Sequence, residues 1–164
     1  MTELQKISIA PHLGFDALAA GEADAPLVLL LHGFAESMHC WDSQIEALAD
    51  AGYRAVAPSQ RGYSASARPD ARDASNYHID RLMDDAMAMA MACGDHDARF
   101  HLAGHDWGGI IAWALADRYA DRIASLNNPV AAASERVQPR AGNARRRSKA
   151  PLAASRGLSR ARCR

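Results

Sequence analysis

The sequence predicts an α/β protein with a mostly parallel sheet and helices on both faces. Three observations predict it. Short aliphatic runs alternate with helix-length amphipathic segments, which is the rhythm of parallel βαβ units. Two of those runs lead directly into glycine-bearing turns, His32-Gly33 and Gly104-His105-Asp106-Trp107-Gly108-Gly109. The rhythm then stops near Asn128, where the composition changes.

The elements follow in order. Lys6–Ala10 and Phe15–Ala19 are expected to form an opening hairpin. Leu27–Leu31 is continuously aliphatic and reads as a strand buried on both faces. From Trp41, apolar residues recur at Ile45 and Leu48, a helical stripe that stops before Gly52. Tyr53–Ala57 is the next strand, closed by Pro58. Arg61–Asn76 is loop, rich in Gly, Pro, Ser and Asp. Tyr77–Cys93 is a helix ended by Gly94, and its Met83, Met87, Met89 and Met91 are assigned to adaptable core filling. Arg99–Ala103 is a strand, Trp107–Tyr119 a helix and Ile123–Leu126 a sixth strand. Trp41 and Trp113 are assigned to the core.

The formal charge of zero conceals a division into two compositions. Residues 1–128 carry 9 Lys/Arg against 18 Asp/Glu, a net of −9. Residues 129–164 carry 10 basic residues against the single acid Glu135, a net of +9, and contain no aromatic residue. So little apolar surface cannot offset the entropy of ordering the segment, so 129–164 is expected to be a disordered basic tail beside a partial core at 1–128. A reading-frame shift in a GC-rich gene is one hypothesis for the change; translating the adjacent frames past the codon for Asn128 tests it. No basic leader followed by an apolar stretch opens the chain, and no apolar run is long enough to cross a bilayer. Cys40, Cys93 and Cys163 are too widely spaced for a disulfide framework or a zinc site. A cytoplasmic location is expected, with no membrane, metal or cofactor.

The most informative stretch runs from Phe100 to Ile110. A strand passes into a helix through Asp106, flanked by glycines at −2, +2 and +3. Small flanks allow the sharp, strained turn of a nucleophile elbow, and the turn directs the Trp107 N–H and the helix dipole at developing negative charge. The competing reading is that Asp106 merely caps its helix. Capping requires no glycines around it, and two glycines in a first helical turn cost about 1 kcal/mol each. A carboxylate in this position attacks saturated carbon and forms an alkyl-enzyme ester, so the substrate would be strained or activated at carbon. The loop His32-Gly33-Phe34, about seventy residues earlier, is expected to supply the Phe34 N–H as the second donor of an oxyanion hole.

Together, His32-Gly33-Phe34-Ala35-Glu36-Ser37, Trp41, Pro58-Ser59-Gln60-Arg61-Gly62-Tyr63-Ser64 and Gly104-His105-Asp106-Trp107-Gly108-Gly109 resemble the epoxide hydrolase and haloalkane dehalogenase branch of the α/β-hydrolase superfamily. The resemblance implies the α/β-hydrolase fold, with Asp106 as nucleophile and a small apolar epoxide or alkyl halide as substrate. His-Gly-Phe resembles the epoxide hydrolases. Haloalkane dehalogenases usually place asparagine where Phe34 stands, and fluoroacetate dehalogenases usually place arginine where Trp107 stands. Ala35 replaces a family proline, which is expected to remove a shaped turn. Ser59 replaces a family aspartate, which is expected to deprive Arg61 of an ion-pair partner.

In this fold the catalytic acid and histidine follow the nucleophile. All seven histidines (His12, His32, His39, His78, His96, His101 and His105) precede Asp106, and only Asp117, Asp121 and Glu135 are acids beyond it. His32 is read as a loop-holding group and His105 as a packed histidine. The sequence therefore resembles such a core truncated after about its sixth strand, without the cap and last strands, and inactive or limited to one turnover. The sixth strand is expected to be an unprotected edge, with poor solubility. A haloalkane dehalogenase-like fragment is the second reading. A non-catalytic fragment whose Arg145-Arg146-Arg147 tail binds nucleic acid is the third, disfavoured because the tail has no aromatic groups for stacking.

Overall fold

The computed structural model describes residues 1–94 and 98–128. The expectations for 129–164 lie outside the described residues. Six strands form one sheet: β1 (Glu3–Ala10), β2 (Leu13–Ala20), β3 (Leu27–Leu31), β4 (Arg54–Pro58), β5 (Phe100–Gly104) and β6 (Ile123–Asn127). Three helices accompany them: α1 (Asp42–Asp50), α2 (Ile79–Cys93) and α3 (Trp107–Arg118). The expected elements are all present, with bounds differing by a few residues and an opening hairpin longer than expected.

The strand order is β1-β2-β4-β3-β5-β6. β1/β2 and β2/β4 are antiparallel, and the pairs from β4 through β3 and β5 to β6 are parallel. The chain leaves β3 for β4 on one side and later returns to β5 on the other, so the two connections diverge beyond the carboxyl ends of β3 and β5, the position at which open α/β sheets bind their ligands. Every residue of β3 is buried. Leu27, Leu29 and Leu31 pack with the α2 and α3 side chains Met83, Met89, Ile111 and Leu115. Val28 and Leu30 face the opposite core with Trp41 and Ile45. The fully aliphatic run is thus explained by α1 on one face of the sheet and α2 and α3 on the other.

Arg61 departs from expectation. Its guanidinium grips Asp85 of α2 through both carboxylate oxygens, at 2.6 and 2.7 Å, with the two side chains 12% and 5% exposed. A partner on α2 therefore stands in for the aspartate that Ser59 replaces. Burial pushes the Asp85 carboxyl above its ordinary value, opposed by the guanidinium. Trp113 is a second correction: it is 40% exposed. It sits two positions from both Ile111 and Leu115, and at 3.6 residues per turn that turns it away from the buried stripe. β6 is one of the sheet's two edges among the described residues. No helix among them is long and apolar enough to cross a membrane.

Candidate active site

Leu31 and Gly104 are paired at the carboxyl ends of β3 and β5. The loop beginning His32-Gly33-Phe34 and the bend at His105-Asp106 therefore emerge side by side. The His105 N–H donates to the Leu31 carbonyl at 3.1 Å and fastens the bend to β3. Asp106 has φ 50° and ψ −117°, a left-handed conformation that costs a non-glycine residue on the order of 1–3 kcal/mol. Its side chain makes no capping bond to α3. Instead Oδ1 accepts the Phe34 N–H at 3.0 Å. The Phe34 amide first, and the Trp107 amide second, hold the carboxyl below its ordinary value of 3.8, so it is an anion in neutral water.

The glycines are explained by how closely these elements approach. A Cβ on Gly104 would stand 2.6 Å from the Gly108 carbonyl carbon. One on Gly108 would overlap the Leu31 carbonyl oxygen and stand 2.6 Å from that of His32, and one on Gly33 would stand 2.7 Å from Asp106 Cβ. The first turn of α3, the end of β5 and the β3 loop can close around Asp106 only because side chains are missing at these positions.

His32 is fully buried and orients the Phe34 amide. Its Nε2 accepts the Gln60 backbone N–H at 3.1 Å, so the proton resides on Nδ1, which donates to the Gly33 carbonyl at 2.8 Å. That carbonyl and the Phe34 N–H belong to one planar trans peptide and point in opposite directions. Fixing the carbonyl on His32 therefore aims the N–H at Asp106. Tyr63 meets the imidazole edge-on, with ring centroids 4.6 Å apart, and its hydroxyl accepts the Ala35 N–H at 3.3 Å. Ala35 itself has φ 62°, which a proline ring cannot adopt. The turn expected to be lost is present in another form, closed by the Glu36 N–H on the Gly33 carbonyl at 3.3 Å.

Burial lowers the His32 pKa below 6.5, and the geometry agrees: a second ring proton would face the Gln60 N–H. With the folded pKa depressed, the unfolded chain binds the extra proton more readily. The contribution of this group to stability is full above pH 6.5 and is lost as pH falls toward the folded value. Imidazole ¹⁵N NMR is expected to show His32 still as the Nδ1–H tautomer at pH values where an ordinary histidine is half protonated.

His105 is not packed as expected. It is 43% exposed, and its Nδ1 lies 3.0 Å from Glu36 Oε2. That same oxygen accepts the Gly33 N–H at 3.3 Å. The hydrogen bond from His105 holds the Glu36 carboxyl below its ordinary value, while burial pushes the neighbouring Cys40 thiol up to about 11. In the sequence, Glu36, Gln60 and Tyr63 stand only as members of the motifs, since nothing in linear order shows which of them fold back onto His32 or Gly33. Phe34, Trp107, Ile110 and Trp113 leave large apolar surfaces exposed, with Phe34 at 78%.

A sheet of this topology, with a strained acidic elbow at its switch point, defines a class. A family model described as the alpha/beta hydrolase fold matches residues 26–134, and the chain belongs to that family. It is 46% identical over 122 residues to Epoxide hydrolase A of Mycobacterium tuberculosis, covering 74% of this chain and 35% of that protein. It is 45% identical over 114 residues to the AB hydrolase superfamily protein YfhM of Bacillus subtilis, covering 68% of this chain and 38% of the relative. Among solved structures, the crystal structure of Epoxide Hydrolase A from Mycobacterium thermoresistibile superposes with a TM-score of 0.70 at 37% identity, over 78% of this chain and 39% of that one. The chain thus spans well under half the length of these relatives.

Proposed function

We propose that this chain carries the attacking half of an epoxide-opening site, with the Asp106 carboxylate as nucleophile. The observation that supports this most directly is the carboxylate itself, in a strained elbow and hydrogen-bonded to the Phe34 amide at 3.0 Å. An Asp106 oxygen attacks a ring carbon, and the C–O bond of the epoxide breaks toward its oxygen. That oxygen takes a proton from water, leaving a hydroxyalkyl ester on Asp106. When Oδ2 attacks, the Phe34 amide stays on Oδ1, placed to stabilise the charge that forms there when the ester is later attacked by water. The relatives named as epoxide hydrolases favour this substrate class over alkyl halides.

Trapping that ester on the 164-residue chain tests the proposal. Intact-mass measurement after incubation with styrene oxide is expected to show the mass of one whole epoxide added. Gain of an alkyl group from a haloalkane, with none from the epoxide, would transfer the proposal to dehalogenation. No adduct from either would refute it.

A further inference from the structure

Gln60 holds His32 from two directions. Its backbone N–H occupies His32 Nε2, and its side-chain Nε2 donates to the His32 carbonyl at 2.6 Å in a fully protein-lined setting, with Gln60 itself 7% exposed. A carbonyl faces only a donor, so the side-chain NH2 group is the atom directed at it. Through these bonds Gln60 controls both ring and backbone of the residue that orients the Gly33–Phe34 peptide. The adjacent Arg61–Asp85 pair anchors this segment to α2, so Gln60 acts from a fixed base.

We propose that Gln60 is a positioning residue for Asp106: by clamping His32 it keeps the Phe34 N–H directed at the Asp106 carboxylate. Its hydrogen bonds go to His32, and it acts through a chain running from Gln60 to His32, to the Gly33 carbonyl, and across the peptide plane to Asp106. Bonds in such a chain also polarise one another, so the loss of one weakens the rest. The catalytic part of this inference rests on the proposed role of Asp106.

The test uses the full 164-residue chain carrying Gln60→Leu, which keeps the backbone N–H and deletes the side-chain amide. Gln60→Met, closer in length and shape, is made alongside. Titration of the ¹³C-labelled Asp106 carboxyl is expected to move upward in both variants, because a donor to the charged form is loosened. The Phe34 amide resonance is expected to shift with it, and adduct formation with styrene oxide to slow about tenfold, a typical result of slight misplacement. Folded variants with unchanged Asp106 titration and Phe34 amide, losing only thermal stability, would overturn the inference, as would failure of both to fold. If the wild-type chain forms no adduct while the titration still moves, the nucleophile proposal fails and the positioning link stands.

Discussion

Replacing Asp85 by alanine is expected to destabilise the fold by about 3–5 kcal/mol, a large part of the total stability of a domain this size. Both side chains of the Arg61–Asp85 pair are largely buried, and the guanidinium is held through Nε and Nη2. Removing the carboxylate leaves a buried cation with its fork unpaired, and the penalty is mostly that desolvated charge rather than the lost attraction. The double replacement Arg61→Met with Asp85→Leu is therefore expected to recover most of the loss, because paired apolar side chains of similar volume avoid the charge altogether. Urea unfolding of the three chains measures both effects. A loss below about 1 kcal/mol for Asp85→Ala would mean that water reaches the pair and that it behaves as a surface ion pair.

Gly108→Ala is expected to damage both the fold and the Asp106 bend. The added carbon would meet the Leu31 and His32 carbonyls at the end of β3, and backbone in the central strand cannot swing aside as a flexible side chain can. Relief requires α3 to lift away from the sheet, uncovering Ile111 and Leu115 and moving the Trp107 amide. About 3 kcal/mol, the upper part of the usual range for overpacking, is the expected cost. Any chain that still folds is expected to alkylate at least about a hundredfold more slowly, because Asp106 is displaced from the donors that hold it. Urea unfolding and intact-mass kinetics separate the two consequences.

The elbow was legible because its requirements are local. Glycines at −2, +2 and +3 around a polar residue, between an aliphatic strand and a helix, leave few alternatives, and the close approaches at Gly104 and Gly108 supply the reason. The aliphatic run Leu27–Leu31 likewise announced a strand covered on both faces. What could not be read was pairing across distance. Arg61 and Asp85 are separated by 24 positions, and a buried aspartate inside an amphipathic helix looks in sequence like any other polar residue. Glu36 and His105 lie 69 positions apart and meet only because β3 and β5 are neighbours. Trp113 is illegible for a different reason: in a helix as uniformly apolar as α3, composition does not distinguish the covered face from the exposed one.

The reactive group proposed for this chain is the Asp106 carboxylate, carried at a strained bend and held by backbone amides. Fragment-ion mapping of the protein after exposure to styrene oxide, with Asp106→Asn treated in parallel, tests it most directly. The expected result is a single modified site, an ester on Asp106, that is absent from the asparagine variant. Modification spread over the exposed carboxylates, or an equal yield from Asp106→Asn, would contradict it.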